Sequence, residues 1–578
     1  MRAPATVAGL LPRRSDYLLR PGTVRADLLA GLTVGVVALP LALAFGISSG
    51  VGAAAGLVTA VVAGIVAAVF GGSHHQVSGP TGAMAVVLAP VVAAHGLGSL
   101  ALVTLAAGLI VLLLGLARLG RIVTYIPWPV VEGFTLGIAC IIFLQQVPAA
   151  VGVSADPGHN TLVTALRSVR SAVENADLAL LAWTLGAVLL VAAAMLALPR
   201  LHRAIPASLV GVAAATLVAE LAGAPLARIG ALPDGLPAPT LPEVDPGALR
   251  ELAGAAVAIA ALAAIESLLS IRVAAAMEHA GEPDGTVYEP DRELVGQGLA
   301  SLASGLFGGM PATGAIARTA VNIRSGARTR LASVSHALVI LAVIYLATGP
   351  VSRIPLAALA GVLMVTAVRM VSVPSARAVL RVNRSSALTF AVTAVVTVAF
   401  DLVQAIQIGL VVAAFFTLRT IARAAGVRRE TLPGTACPED EHIALYRLEG
   451  AMFFGAADRV MGQVTTESAE NGVQVVILRL SRVQLVDATA AKALAELIET
   501  LERRRITVLV KGVQARHRGT LTTVGTLSVL RHENHLFDTL QAAADHARSH
   551  VQHEQHEQYV QGEKYEQRAA TSRAVRAR

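Results

Sequence analysis

The chain has 578 residues, 55% of them hydrophobic, with a mean hydropathy of +0.66 and a formal net charge of +8. From Leu28 to Ala117 it carries no aspartate, glutamate, lysine or arginine. This run excludes an ordinary soluble protein, because a membrane-spanning helix needs only about 20 apolar residues. The charged residues that continue to Asp27 and the long apolar run after it are unlike a cleavable signal peptide.

Basic residues crowd at the two edges of the apolar region, which is not the pattern of a nucleic-acid-binding patch. An excess of arginine and lysine marks the cytoplasmic side of a membrane protein. We therefore expect both termini in the cytoplasm, an even number of spans, a location in the plasma membrane, contact with membrane lipid and no nucleic-acid partner. The residues are Arg13, Arg14, Arg20 and Arg25 before the first span and Arg419, Arg423, Arg428 and Arg429 after the last.

Fourteen apolar segments are predicted, and the third and the tenth are unusually short. Short segments at matching positions of two halves indicate a transport site near the middle of the bilayer. Because each half has seven segments, the halves must run in opposite directions, which predicts a 7+7 inverted repeat. The segments are 27–46, 51–70, 79–94, 98–117, 124–147, 176–198, 204–223, 249–271, 289–307, 313–323, 329–348, 351–371, 386–400 and 402–424.

A soluble domain is predicted after the membrane region. Residues 443–448, 473–480 and 506–510 have the alternating or β-branched apolar pattern of strands, and residues 488–504 have helical spacing, so we expect a small α/β domain. The chain then divides into a cytoplasmic segment 1–26, a transmembrane domain 27–424, a soluble domain 440–548 and a disordered tail 549–578 that is rich in His, Glu and Arg.

The third segment begins with a possible anion site, Ser78-Gly79-Pro80-Thr81-Gly82-Ala83-Met84. Proline is tolerated in the first turn of a helix, so the N–H groups of Thr81, Gly82 and Ala83 are free to face a ligand. The alternative is a simple turn between helices. An exposed backbone at this depth is costly unless it lines a cavity, which favours a site.

The tenth segment offers a second helix start, with Thr313 and Gly314 as its cap region and Arg318 in its first turn. A buried arginine is costly unless it meets an anion or a carboxylate. Arg318 is therefore predicted to raise anion affinity or to replace a second ion. The alternatives are that it snorkels to the interface or pairs with an acid. We place Arg324, Arg328 and Arg330 on a loop face.

Glu266 is the other charged residue inside an apolar segment, Ala256 to Leu269. Burial there favours its protonated form, so the carboxyl group can gain and lose a proton and couple proton movement to transport. Alternatively it ligates sodium together with hydroxyls such as Ser267 or Ser270, or it forms an internal salt bridge, with Arg318 as one partner.

Together these motifs resemble the SulP (sulfate permease) family from about residue 20 to 548. The segment Ala38 to Gly50 is similar to the first-helix signature of that family, Ser78 to Met84 to its third-helix start, and Gly308 to Ser325 to its tenth-helix start. The resemblance implies a fourteen-span fold with a core subdomain (spans 1–4 and 8–11), a gate subdomain (spans 5–7 and 12–14) and a homodimer.

The resemblance also implies where an anion binds, between the two short helix starts and the first span. Many relatives carry glutamine where this chain has Leu41, so one polar contact to the substrate is lost. Sodium-coupled bicarbonate transporters of the family tend to carry aspartate at the position of Glu266. The implied binding residues are Leu41, Phe45, Thr81, Gly82, Ala83, Ala315, Ile316, Ala317 and Arg318.

The soluble part resembles a STAS domain. Its segment Val486 to Ala490 is similar to the Asp-x-Ser/Thr-Gly turn of these domains, in which the hydroxyl two residues after the aspartate is phosphorylated in some relatives. Thr489 occupies that position as a possible regulatory site. Ala490 replaces the usual glycine, so we expect a structural or regulatory domain rather than a phosphorylated switch.

The expected function is secondary active transport of an inorganic oxyanion, sulfate first, by proton or cation symport. Bicarbonate or a dicarboxylate is the alternative, and a nucleobase:proton symporter or a membrane-tethered signalling protein is less expected. We expect no enzyme, because the sequence shows neither a nucleophile with a base nor a cluster of metal ligands. Cys140 and Cys437 have no metal or disulfide spacing, and no cofactor is expected.

Overall fold

The protein is described as a computed structural model that divides into two compact units, Met1–Ala413 and Ala414–Arg578. Arg13, Arg14 and most of the predicted segment 1–26 lie outside the described residues. The described residues are 12, 20–121, 127–153, 161–174, 177–202, 205–233, 235–242, 246–278, 289–399, 402–453, 456–470 and 472–576.

The first unit is helical. Long apolar runs without charges favour helices in a membrane, because a helix bonds its backbone polar groups within its own segment. The helices, with α18 continuing into the second unit, are α1 Pro21–Ser48, α2 Ala53–Phe70, α3 Gly82–His95, α4 Ser99–Leu116, α5 Trp128–Gln145, α6 Val147–Ala150, α7 Thr161–Glu174, α8 Leu178–Leu201, α9 Ala207–Leu221, α10 Pro246–Glu278, α11 Pro290–Leu306, α12 Ile316–Arg324, α13 Leu331–Leu346, α14 Thr348–Ser352, α15 Leu356–Met370, α16 Val373–Val382, α17 Arg384–Ala399 and α18 Leu402–Ala424.

Each predicted segment coincides with a helix of the described chain, and α6, α7, α14 and α16 are additional short connections. Among the described residues, seven helical stretches are long and apolar enough to cross a membrane. The two segments predicted to be short are α3, with 14 residues, and α12, with 9 residues. The fold is therefore that of a helical membrane protein.

The helices form two groups. In the first, α1 packs on α13, α2 on α11, and α4 on both α10 and α11; in the second, α5 packs on α17, and α8 on α9 and α15. Glycine allows the close approach of α11 to α4, because a Cβ at Gly298 would lie 2.5 Å from the backbone nitrogen of Leu112. The groups match the spans predicted for the core and gate subdomains.

Two very short strands precede the two short helices. β1 Ser78–Gly79 lies before α3 and β2 Thr313–Gly314 lies before α12. They pair antiparallel, with Ser78 opposite Gly314 and Gly79 opposite Thr313. This pairing brings the starts of two helices from opposite halves of the sequence to one place.

The second unit contains a five-stranded sheet in the order β3-β4-β5-β6-β7, in which β3 is antiparallel to β4 and the other neighbours are parallel. The predicted strands and helix are all present. The elements are β3 Gly426–Glu430, β4 Ile443–Met452, α19 Ala457–Glu470, β5 Val475–Val486, α20 Ala488–Arg503, β6 Thr507–Lys511, α21 Ala515–Thr523, β7 Leu536–Phe537 and α22 Leu540–Arg576.

The boundaries of the soluble part differ from those expected at residues 440 and 549. The sheet already begins at Gly426, because the polar strand β3 pairs with β4 although it has little apolar signal of its own. The predicted disordered tail is helical as far as Arg576, as a continuation of α22. Its glutamine, glutamate and alanine residues favour a helix, which explains the difference.

Candidate anion site

Both short helices begin with unpaired backbone donors. The first bond within α3 runs from Ala85 N to Thr81 O at 3.0 Å, and the first within α12 runs from Thr319 N to Ala315 O at 2.9 Å. The N–H groups of the first three residues of each helix therefore have no partner in their own helix, and they are suited to an anion. These residues are Gly82, Ala83 and Met84 in α3 and Ile316, Ala317 and Arg318 in α12.

The exact helix starts differ slightly from the prediction. Thr81 is the N-cap residue of α3 and has extended backbone, so the helix itself begins at Gly82. Residues 313–314 belong to β2, and α12 begins only at Ile316. The strand pairing explains both shifts, since β1 and β2 need extended backbone before each helix can begin.

The β1–β2 pair is held by further hydrogen bonds. Ala315 N donates to Val77 O at 2.9 Å, and Val77 N donates to the Thr319 hydroxyl at 3.0 Å. Hydrogen bonds between the residue before β1 and the residues after β2 therefore also fix the two helix starts relative to each other.

Glu266 of α10 lies at this junction, half-buried. Its Oε2 accepts hydrogen bonds from Thr81 Oγ1 at 2.8 Å and from Thr313 Oγ1 at 2.9 Å. The two threonine hydroxyls are themselves 3.2 Å apart. One carboxylate oxygen therefore joins the N-cap of α3, strand β2 and helix α10.

The hydroxyls that the sequence suggested as partners of Glu266 have other roles. Ser267 Oγ accepts from Gly314 N at 3.0 Å, and Ser270 Oγ lies 3.3 Å from Thr319 Oγ1. Both serines therefore anchor β2 and α12 to α10. The hydroxyls beside the carboxylate come from Thr81 and Thr313, which local spacing could not show because they lie far away in the sequence.

Arg318 is buried, with 3% of its surface exposed, so it does not snorkel to an interface. Its Nη2 donates to the carbonyl of Pro80, immediately before the start of α3. Its Nη1 lies beside Gly79, where a Cβ would come within 2.8 Å of it. Arg318 attracts Glu266 electrostatically, but the two make no direct ion pair in the described part of the chain. The cation therefore spans both helix starts.

Apolar side chains close one side of the α3 start. A Cβ at Gly82 would lie 2.4 Å from Ile142 Cδ1 and 3.1 Å from Phe45 Cε1. Phe45 was expected here, whereas Ile142 was not. The position of Ile142 depends on the packing of α5 against α3, which the sequence does not show. Leu41 lies one turn before Phe45 on α1 and is partly buried.

The predicted residues of α12 divide by exposure. Ala315 is buried, and Ile316 and Ala317 are exposed. The side chains at this end of α12 are therefore not covered by packed protein.

A fully buried carboxylate, Glu293 of α11, was missed from the sequence. It accepts hydrogen bonds from Gly72 N at 2.8 Å, Gln76 Nε2 at 2.6 Å and Gln297 Nε2 at 2.8 Å. Gln297 Nε2 also lies 2.6 Å from Ser78 Oγ in β1. The sequence signal that could have revealed Glu293 and Gln297 is their spacing, because residues four apart lie on one face of a helix. Through Ser78, this hydrogen-bond network holds β1 in place.

The prediction that Arg330 lies on a loop face is wrong, although Arg324 and Arg328 are exposed. Arg330 is 1% exposed, and its Nη1 donates to Ala68 O at 3.1 Å and Gly71 O at 2.6 Å. These carbonyls lie at the C-terminal end of α2, where a helix leaves acceptors unpaired and favours a cation.

In the second unit, Thr489 is exposed in the first turn of α20. The N-cap residue of this helix is Asp487, whose Oδ1 accepts from Ala490 N at 2.7 Å. Thr489 is thus accessible to solvent. Within the described residues, no group of three or more His, Cys, Asp or Glu side chains is placed to hold a metal ion.

Comparison with known proteins identifies the family. Residues 24–393 match the sulfate permease family, and residues 435–543 match the STAS domain. The chain belongs to the sulfate permease family. Its membership makes it a multi-pass membrane protein, and transporters of this kind are usually not enzymes.

Sulfate permease relatives align over almost the whole chain. One is the "Putative sulfate transporter YvdB" of Bacillus subtilis, 34% identical over 515 residues, covering 89% of this chain and 96% of the relative. Another is the "Bicarbonate transporter BicA" of Synechocystis sp., 31% identical over 549 residues, with 90% and 94% covered. These relatives support anion transport as the general function of the chain.

A solved structure shows the same fold. The murine anion transporter Slc26a9, in the inward-facing state, superposes with a TM-score of 0.80 at 17% identity, over 94% of each chain. At this identity the likeness concerns the fold alone.

Proposed function

We propose that this protein is a secondary active transporter of inorganic oxyanions, sulfate first, driven by proton or cation symport across the plasma membrane. The strongest support is the arrangement of charged and polar groups at the place where the two short helices begin. Two sets of free N–H groups, the Arg318 guanidinium and the Glu266 carboxyl group meet around one pair of strands.

The charges of this site favour an anion. Helix N-termini carry partial positive charge and Arg318 adds a full one, in surroundings where water screens little. Two helix starts can together offer donors to several oxygen atoms of one oxyanion. Alanine and isoleucine side chains around the α12 start leave its backbone accessible, since they present no competing polar group.

Glu266 supplies the coupling in this proposal. A divalent anion beside Arg318 is repelled by an ionised Glu266, whereas a protonated Glu266 leaves the site with a net positive charge. Binding of a proton to Glu266 therefore favours binding of the anion. The two threonine hydroxyls hold the carboxyl group close to both helix starts in either state.

Sodium-coupled bicarbonate or dicarboxylate transport is the second candidate. The oxygen atoms of Glu266, Thr81 and Thr313 form a compact set of the kind that a hard cation prefers, and a relative is named a bicarbonate transporter. A nucleobase symporter is less favoured, because the amide of Gln76 is engaged by Glu293. The intact helix starts disfavour a role in signalling alone.

The test is uptake of radiolabelled sulfate into proteoliposomes, with and without an inward proton gradient, and with sodium present or absent. It compares the unmodified protein with Glu266→Gln. Glu251→Gln is the matched control, because Glu251 lies on the same helix and is exposed. Proton-stimulated uptake that Glu266→Gln abolishes and Glu251→Gln retains is the expected result.

Two results would change the proposal. If no sulfate enters under any gradient, the substrate assignment fails, and bicarbonate and dicarboxylates are tested next in the same vesicles. If sulfate enters regardless of protons, sodium and the Glu266 substitution, the substrate assignment stands and the coupling mechanism fails.

We further propose that both termini lie in the cytoplasm, supported by the basic flanks of the membrane region; the proposed homodimer rests on the family resemblance. Cys437 lies in the soluble unit and is partly exposed. In whole cells carrying a Cys140→Ala variant, a membrane-impermeant maleimide should label Cys437 only after permeabilisation. Labelling of intact cells would contradict this orientation.

A further inference from the structure

His336 of α13 is a buried polar residue that the proposed transport mechanism does not yet use. Its side chain is fully buried. The carbonyl of Ser333 lies near the ring, but neither ring nitrogen makes a well-formed hydrogen bond within the described residues. A buried polar atom without a partner costs about 1–3 kcal/mol, so the position calls for an explanation.

Arg318 has a buried hydrogen-bond donor that complements the unused acceptor of His336. Its Nη2 donates to Pro80 O, but its Nη1 is buried and has no hydrogen-bond partner among the described residues. Arginine offers donors and no acceptor, whereas a neutral imidazole has one bare nitrogen that accepts. Arg318 and His336 also interact electrostatically. An unpaired donor and an unpaired acceptor therefore lie in one buried region.

Among the described residues, the surroundings of His336 provide no other charged partner. The helices α1 and α2 pack on α13, and from Leu28 to Phe70 they carry no titratable side chain. A Cβ at Gly64 of α2 would lie 3.9 Å from the His336 ring and 3.6 Å from Ser78 O. The ring is therefore near β1, the strand that contains Gly79, against which Arg318 Nη1 lies. The charged groups near it are Arg318 and, beyond Arg318, Glu266.

We propose that His336 is a positioning residue for Arg318, and that its neutral ring accepts a hydrogen bond from Arg318 Nη1 when the guanidinium turns from the Pro80 carbonyl. Arg318 then has two resting partners, the carbonyl of Pro80 and the ring of His336. His336 acts through Arg318 and touches no substrate. The consequence for anion affinity rests on the proposed transport function; the pairing of the two side chains does not.

The transport measurement uses His336→Leu, which removes the acceptor, and His336→Gln and His336→Asn, which place an amide oxygen near one or the other ring nitrogen. Ser335→Ala is the matched control, since Ser335 is buried on the same helix and lies against Gly31 of α1. We expect the KM for sulfate to rise about tenfold in His336→Leu with kcat within twofold, and at least one amide variant to restore it.

A second measurement needs no substrate. The melting temperature of the purified full-length protein is determined for His336→Leu, Arg318→Gln and the double variant. Pairing predicts that His336→Leu lowers the melting temperature in the unmodified protein and leaves it unchanged in Arg318→Gln, which is a non-additive result. His336→Phe replaces the leucine variant if that variant does not fold.

The two measurements separate the possible failures. Additive melting shifts would overturn the pairing, whatever the transport result, and so would a His336→Leu variant with unchanged KM in a protein that transports sulfate. If the unmodified protein takes up no sulfate, the transport proposal fails and the melting cycle alone decides the role of His336.

Discussion

The hydroxyl groups of Thr81 and Thr313 lie 3.2 Å apart although 232 residues separate them in the chain. Each also lies within 2.9 Å of the same oxygen of Glu266. The candidate coupling group therefore contacts the start of one short helix and the strand before the other. A change in its protonation acts on both halves of the site at once.

The Thr313 hydroxyl should be needed for transport. Thr313→Val keeps the shape of the side chain but removes the hydrogen bond to Glu266, and we expect the initial rate of proton-driven sulfate uptake to fall about tenfold. Thr313→Ser should retain most of the rate. Thr366→Val is the control, because the Thr366 hydroxyl bonds Val362 O within α15. A fully active Thr313→Val protein would show that the hydroxyl is dispensable.

Gly82 should be needed for closure of α5 over the site. In Gly82→Ala the new methyl group meets Ile142 Cδ1 and Phe45 Cε1, so α5 cannot approach α3 as closely. We expect uptake to fall at least fivefold, and Ile142→Ala to restore it in the double variant because it removes the nearest atom. Uptake rates of the four proteins check this. Failure of the second substitution to help would place the defect elsewhere, at the α3 backbone itself.

Removal of the Glu293 carboxylate should destabilise the protein. Glu293→Ala leaves the donors of Gly72, Gln76 and Gln297 without their acceptor in a buried site, which costs about 3 kcal/mol or more. Thermal unfolding in detergent should show a clearly lower midpoint. Glu251→Ala, at an exposed position, should change the midpoint little. Equal midpoints for the two variants would mean that the network does not support β1.

The second unit should lose stability in acid. Burial, together with the neighbouring His546, His532 and His550, lowers the pKa of His535 from 6.5 to about 4. The unfolded chain then binds a proton that the folded chain does not, so stability falls as the pH falls from 6.5 to about 4 and is independent of this residue above pH 6.5. The slope is about 1.4 kcal/mol per pH unit at most.

Hydrogen exchange of the full-length protein can measure this acid effect. His535 immediately precedes β7, which pairs with β6, so the peptide that contains residues 507–511 is the probe. From pH 6.5 to pH 5, its protection, corrected for the intrinsic rate, should fall about tenfold or more. His535→Gln should flatten the dependence and His553→Gln, at an exposed position, should not. An unchanged slope in His535→Gln would assign the effect to other groups.

The fold was largely predictable because its signals are local. Apolar run lengths gave the helices, and β-branched runs gave the strands of the soluble unit. Strand β3 was not predicted because it has little apolar signal and forms by pairing with β4. The helical tail was not predicted because polar composition alone does not distinguish a solvated helix from disorder.

The backbone of the candidate site was more predictable than its side-chain contacts. Gly79-Pro80 and Gly314 precede helices that the structure contains, and Arg318 and Glu266 stand out as charges in apolar segments. The partners of Glu266, the packing of Ile142 on Gly82 and the burial of Arg330 depend on contacts between distant segments. No spacing within one segment contains that information.

The two-residue pairing of β1 with β2 has a thermodynamic consequence for the proposed transport cycle. Because it fixes the spacing between the two helix starts, an anion held there keeps the same set of donors whichever side of the membrane the site faces. The intrinsic dissociation constant would then be nearly equal on the two sides. Such a carrier would reach half-saturation at similar anion concentrations on the two sides, and the direction of its net flux, as in any secondary carrier, would follow from the gradients of the anion and of the coupling ion.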